Sequence, residues 1–221
     1  MILSLDSPLC SPDALGVWLL PDAEPLPTWV HLDAFTPPEL DRLHRTRHPG
    51  AREHFRRGRL MLRSLLAERL RCSPGEVSLV LTPEGKPVVA GSDGIHFNVS
   101  HTAGLVAIAV APVPVGIDVE AADDGRDIVG LVNRFFAEEE RAQFARLPER
   151  LRRSAFLRGW TCKEALLKGI GSGVRDLQNC AVCLDPELPP RVVRSPAGGW
   201  TLTTWQAGEV GVAVATHTEL R

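Results

Sequence analysis

A weak internal repeat restricts what this 221-residue chain can fold into more than any other feature. Ala103-Gly104-Leu105-Val106-Ala107-Ile108-Ala109-Val110-Ala111 is echoed by Ala207-Gly208-Glu209-Val210-Gly211-Val212-Ala213-Val214-Ala215. Both stretches are short, apolar and bounded by turn residues, so both read as strands. Each closes a series of helix, strand, strand and strand. A helix over Gly58 to Leu70 opens the first series, and one over Leu151 to Leu167 takes the same place in the second. The pattern predicts an α+β fold of two similar halves, each a helix packed on a small antiparallel sheet. Pro112-Val113-Pro114 is a rigid kink between them, which puts the halves at 1–112 and 113–221. Hydrophobic content of 44% suffices for a core in each.

Further elements follow from local pattern. Leu15 to Leu20, Val77 to Leu81, Val88 to Ala90, Ala181 to Leu184, Arg191 to Arg194 and Trp200 to Trp205 read as strands. Val129 to Phe136 and Glu138 to Leu147 read as helices. The macrodipole explains Glu138-Glu139-Glu140 in a first helical turn. Thr36-Pro37-Pro38-Glu39 is a helix start.

Two stretches carry chemistry. In Gly116-Ile117-Asp118-Val119-Glu120 the acids are one residue apart, so on a strand they share a face. Adjacent carboxylates repel unless a cation or solvent absorbs the charge. In Trp160 to Lys168, residues Trp160, Glu164 and Lys168 recur every four positions and share a helix face. Packed together, the two stretches bring three carboxylates and one ammonium to a point suited to a hard divalent cation and a phosphate. Taken alone, an Asp-x-Glu at a strand end is most often a solvated turn, and a Glu–Lys pair at i,i+4 a surface pair.

From Arg42 to Arg63 the chain is locally basic, with His44, His48 and His54 interspersed; a solvated helix face is the plain alternative. Ser100 and His101 are adjacent on a strand and cannot share a face, and no G-x-S-x-G elbow accompanies them, which disfavours a Ser–His catalytic pair. A net charge of −2 argues against a general nucleic-acid or anionic-membrane binder, so any anion site is local. No apolar run reaches membrane-spanning length, and the first ten residues lack a signal peptide's basic region. Five cysteines without a regular framework fit a reducing cytoplasm. Cys180-Ala181-Val182-Cys183 lacks a second pair and reads as buried free thiols.

Six segments in order resemble one known family: Gly58-Arg59-Leu60-Met61-Leu62-Arg63, Gly85-Lys86-Pro87, Phe97-Asn98-Val99-Ser100-His101, Gly116 to Glu120, Arg134-Phe135-Phe136, and Trp160-x-x-Lys163-Glu164-Ala165-x-x-Lys168. The chain resembles the 4′-phosphopantetheinyl transferases in their long, surfactin-type form. Any one segment is weak; the ordered set is specific. The resemblance implies a pseudo-dimeric α+β enzyme, with coenzyme A and Mg²⁺ between the halves. It implies transfer of the phosphopantetheine arm of coenzyme A to a serine of an apo acyl or peptidyl carrier protein, releasing adenosine 3′,5′-bisphosphate.

Roles follow by position. Asp118, Glu120 and Glu164 match the metal-site acids. Lys168 matches a lysine on the pyrophosphate, and Glu164 or else Glu120 the general base. Gly85, Lys86 and Pro87 match an adenine and phosphate contact, and Ser100 and His101 residues near the 3′-phosphate. Arg47 fits the basic arm with a small shift. Chain length and the repeat favour a monomer. A metal-dependent nuclease and a non-catalytic coenzyme A binding module are the competing readings. Nucleases of that kind usually place a lysine after the second acid, where Ala121 stands here, and a binding module has no need to keep all three acids.

Overall fold

A computed structural model describes residues 14–122, 125–207 and 209–218, so the first ten residues and Gly208 of the repeat lie outside the described part. The chain divides into two compact units, Met1–Pro112 and Val113–Arg221.

In the first unit the order is β1 (Gly16–Pro21), α1 (Pro37–Arg45), α2 (Pro49–Leu70), β2 (Leu79–Leu81), β3 (Pro87–Val89), β4 (His96–Thr102) and β5 (Leu105–Ala111). β2 and β3 form a hairpin, and the main sheet runs β1-β5-β4, antiparallel throughout. Leu62, Leu65 and Leu66 of α2 close a core with Trp18, Leu20, Phe97 and Ile108. The α2 helix begins at Pro49 rather than at Gly58. His48 Nδ1 accepts from Ala51 N–H at 3.3 Å and Pro49 opens the first turn, so the start is capped. Its first two turns have few apolar residues, which hid them from a periodicity argument.

The second unit runs β6 (Val115–Ala121), α3 (Ile128–Phe135), α4 (Glu138–Arg146), α5 (Glu149–Ile170), β7 (Ala181–Val182), β8 (Val192–Arg194), β9 (Trp200–Ala207) and β10 (Val210–His217). Its sheet is β6-β10-β9, again antiparallel, with β7–β8 a separate pair. Phe156, Leu166 and Leu167 of α5 pack with Phe136, Ala213 and Ala215. Cys180 and Cys183 are buried free thiols.

The two stretches that echo each other in sequence are the central strands β5 and β10 of the two sheets. Their register differs by one residue from the sequence match, which set Val106 against Val210. Val106, Ile108 and Val110 face α2, whereas Ala213 and Ala215 face α5 together with Gly211, where a Cβ would lie 3.3 Å from Leu157. Both faces of these strands are apolar, so no alternation marks the helix side. In the structural register Val106 therefore corresponds to Gly211.

Strand pairing carries this register to the neighbouring strand. Trp18 pairs with Ile108 and Leu20 with Val106, while Asp118 pairs with Ala213 and Glu120 with Gly211. Trp18 and Leu20 thus occupy in the first unit the positions of Asp118 and Glu120 in the second. The frame is duplicated and the acids are not.

A buried tether is duplicated as well. Arg63, fifteenth residue of α2 counted from Pro49, donates to Glu39 of α1 at 2.8 Å and to the carbonyl oxygens of Pro74 and Val77 at 2.7 and 3.0 Å. Lys163, fifteenth of α5 counted from Glu149, donates to Glu140 of α4 and to the carbonyl of Cys180 at 2.8 Å. Glu39 and Glu140 each also accept the backbone N–H three residues upstream, Thr36 at 2.9 Å and Ala137 at 2.8 Å. One buried cation in each unit thereby pins a long helix to a short one and to the segment that follows.

Candidate functional site

The acid-and-lysine site depends on a glycine. At Gly116 a Cβ would overlap Ala165 O and Gly169 N and lie 2.9 Å from Gly169 Cα, so α5 rides directly on the β6 backbone. That approach brings the helix against the acids that follow on the same strand face. Gly116→Ala is expected to lever α5 off β6 and destabilise the protein by about 3 kcal/mol. Urea unfolding checks it, and a midpoint within error of wild type would show that the approach is not needed.

Lys168 Nζ donates to Asp118 Oδ1 at 2.6 Å. Asp118 is 3% exposed, whereas the Lys168 side chain is 31% exposed. Glu120 accepts from Trp160 Nε1 at 3.2 Å through one oxygen and from Arg126 Nη2 at 3.3 Å through the other. Trp160 is held edge-on by Phe135, with ring centroids 5.6 Å apart. Burial, and after it the charge of Asp118, pushes the Glu120 carboxyl above its ordinary range, against the pull of Arg126 and Trp160. Glu164 is half-buried and shifts upward too: burial first, then Asp118, with Lys168 opposing and Glu120 adding. The three acids predicted to meet are electrostatic neighbours.

They are not, however, a ready ligand cluster. Among the described residues no three His, Cys, Asp or Glu side chains are placed to hold one ion, and Lys168 serves as the counter-charge on Asp118. The donor set is all oxygen and mutually repelling, and that chemistry fits a hard cation.

In the first unit a cavity of 440 Å³ opens between α2, β4 and the β2–β3 turn. Phe55 is flanked in it by the guanidinium groups of Arg42, at 4.4 Å from the ring centroid, and Arg59, at 5.6 Å. His54 and His101 stack with centroids 5.1 Å apart, and His54 Nε2 lies 2.8 Å from Asp22 Oδ2. Gly85 and Pro87 line the cavity, and Lys86 between them is half-buried, its ammonium pulled down to about 8 by burial.

Two residues named from the sequence are placed elsewhere. Ser100 is 4% exposed and does not line the cavity, because neighbours on β4 alternate faces and His101 takes the cavity side. Arg47 is exposed in the connection between α1 and α2 and does not line it either. Arg42 and Arg59 supply the cationic wall instead. An aromatic residue set among arginines was the signal for them, at Phe55. Nothing in the local sequence distinguished Glu140 as the partner of Lys163.

Comparison with known proteins shows the family. Residues 114–216 match the family model of the 4′-phosphopantetheinyl transferase superfamily, and residues 30–113 match that described as 4′-phosphopantetheinyl transferase, N-terminal. The chain is 34% identical over 195 residues to 4′-phosphopantetheinyl transferase HetI of a Nostoc species, a match spanning 86% of this chain and 81% of that protein. It is 29% identical over 118 residues to a 4′-phosphopantetheinyl transferase of Bacillus subtilis, covering 53% of this chain and 51% of the relative. It is also 29% identical over 184 residues to the human L-aminoadipate-semialdehyde dehydrogenase-phosphopantetheinyl transferase, covering 77% and 59%. The chain therefore belongs to the 4′-phosphopantetheinyl transferase superfamily and is an enzyme of that class.

Proposed function

We propose that the enzyme transfers the 4′-phosphopantetheine group of coenzyme A to a serine hydroxyl of an apo acyl or peptidyl carrier protein. Adenosine 3′,5′-bisphosphate leaves, and Mg²⁺ is the cofactor. The observation that carries this reading is the Asp118–Lys168 pair at 2.6 Å, with Asp118 close enough to raise the carboxyls of both Glu120 and Glu164. Family membership supports it independently.

Asp118, Glu120 and Glu164 are the residues that would hold Mg²⁺, which would neutralise charge on the pyrophosphate of coenzyme A. Lys168, already partly exposed, turns its ammonium to the phosphate oxygen on which charge grows as the P–O bond breaks. Holding Mg²⁺ and accepting the serine proton compete for Glu164, so it serves as the base where Asp118 and Glu120 hold the ion; its raised carboxyl is nearer the basicity a general base needs. In the first unit His101, Arg42 and Arg59 take the 3′-phosphate, with the Gly85-Lys86-Pro87 turn against the adenine. At neutral pH a Lys86 ammonium with pKa about 8 is mostly charged and serves a phosphate. We place the enzyme in the cytoplasm as a single chain; no described helix is long and apolar enough to cross a membrane.

The test is incubation with coenzyme A, Mg²⁺ and a panel of apo carriers, read by mass spectrometry. Gain of the phosphopantetheine mass on a carrier is expected. Tight coenzyme A binding with no gain on any carrier would make the protein a binding module. In the same assay His101→Ala should raise KM for coenzyme A about tenfold with kcat nearly unchanged, since a phosphate contact remote from the reacting atoms binds ground and transition states alike. An unchanged KM removes His101 from the 3′-phosphate.

A further inference from the structure

The second unit contains a cavity that the transfer reaction, as assigned above, does not use. It measures 180 Å³ and lies between α5 and the β9–β10 end of the sheet. Its walls correspond to those of the first unit's cavity once the helix-facing register is applied. Counted from Pro49 and Glu149, His54 and Gly58 of α2 fall where Ser154 and Arg158 fall on α5. Through their partners on β5 and β10, Val99 and His101 of β4 fall where Thr204 and Gln206 fall on β9. The β2–β3 turn supplies Gly85 and Pro87 to the first cavity, and the β7–β8 connection supplies Pro186 to the second. The duplicated frame therefore has a pocket in both copies. A side chain now stands at the position of Gly58, and the second pocket is the smaller one.

Arg158 sets its chemistry. Nη1 and Nη2 donate to the carbonyl oxygens of Asp185 and Leu188 at 2.8 and 2.7 Å. Nε is buried and meets no acceptor among the described residues. Among the described residues no carboxylate pairs with this guanidinium: the nearby Asp185 side chain accepts the backbone N–H of Glu187 at 2.9 Å. Thr161 gives its hydroxyl proton to Leu157 O at 2.7 Å, and Ser154 gives its own to Leu151 O at 3.0 Å. A half-exposed guanidinium that lines a cavity beside Thr204 and Gln206, with no acid among the lining residues, suits an acceptor that carries negative charge.

We infer that this cavity is a binding site for a small oxyanion, a phosphate-sized inorganic anion or a short carboxylate, held by Arg158 with Gln206 and Thr204 at the rim. The site is the internal counterpart of the first unit's cavity, but its own polar lining makes the argument, which holds whatever the first cavity binds. Gly211 in its wall lies directly across the β6–β10 pairing from Glu120, so the anion sits one strand away from the acid site.

The full chain, labelled with ¹⁵N, is titrated separately with inorganic phosphate and with acetate, following the Arg158 Nε–H signal and the indole N–H of Trp205, which also lines the cavity. Saturable shifts at both are expected with at least one of the two anions. The anion that produces them identifies the source. Gln206→Glu, which sets a carboxylate at the rim without touching the carbonyl ties of Arg158, should weaken binding at least about tenfold. Thr204→Asp replaces it if that variant does not fold. Anion-dependent shifts confined to the first unit, or shifts at Arg158 that Gln206→Glu leaves unchanged, overturn the site.

Discussion

Asp118→Ala should lower the rate of transfer about a thousandfold at saturating coenzyme A and carrier, with little change in melting temperature. Asp118 is the most deeply buried of the three acids, at 3% exposure, and the only one joined to Lys168. Removing it leaves Lys168 without the partner that aims its ammonium, and takes one oxygen donor from the group that would hold the metal. Loss of a single preorganised charged contact to a developing charge typically costs about a hundred- to a thousandfold, and Asp118 serves two such contacts. The fold should tolerate the change. Asp118 adds to the repulsion that lifts the Glu120 and Glu164 carboxyls, and its loss relieves that repulsion. Lys168 is exposed enough to be solvated by water. Single-turnover transfer measured by mass spectrometry, alongside a thermal melt, checks both halves of the expectation. Near-normal turnover in a folded Asp118→Ala protein would remove the residue from the chemistry.

Lys163→Met should cost about 3–5 kcal/mol, the range for breaking a buried ion pair from one side. Lys163 is 0% exposed and Glu140 1%, so the abandoned carboxylate has no route to water. Set against a typical domain stability of about 5–15 kcal/mol, that loss is large. The double change Lys163→Met with Glu140→Leu should recover most of it, because an apolar pair of similar size needs no solvation. Recovery stays incomplete, since Ala137 N–H, Val182 N–H and Cys180 O lose their acceptors and donor. The homologous Arg63→Met should cost less: Glu39 keeps Arg59 at 3.3 Å and is itself less buried. Urea denaturation of the four proteins ranks them. A double variant no more stable than Lys163→Met would show that the pair is not what holds α5.

Much of the site could be read before any coordinates. Strand alternation put Asp118 and Glu120 on one face, and the four-residue spacing put Trp160, Glu164 and Lys168 on another, because each is a consequence of local backbone geometry alone. The repeat was visible for the same reason: two apolar strands of similar length each follow a helix. Its register was not. Val106 matches Val210 by residue type, yet in the fold Val106 corresponds to Gly211. A strand apolar on both faces carries no mark of the side on which a helix will lie.

Ser100 and Arg47 teach a related lesson. Both stand in the right segment, but the face of β4 and the path between α1 and α2 decide which side chains reach the cavity, and His101, Arg42 and Arg59 do. Glu140 reads locally as a charge complementing a helix dipole. Only packing turns it into the buried partner of a lysine 23 residues away.

The linear order of residues determined the kinds of groups available: paired acids, a helix-borne lysine, a basic arm, two copies of one frame. Those are properties of neighbours along the chain, and short-range geometry suffices to state them. Tertiary structure decided that the acids of β6 meet Glu164 and Lys168, through Gly116 letting α5 lie on β6, and which cations were buried in tethers rather than left for ligands. Such choices depend on contacts between distant segments, whose free energies are set by burial and by the exclusion of water, and these exist only once the chain has closed on itself.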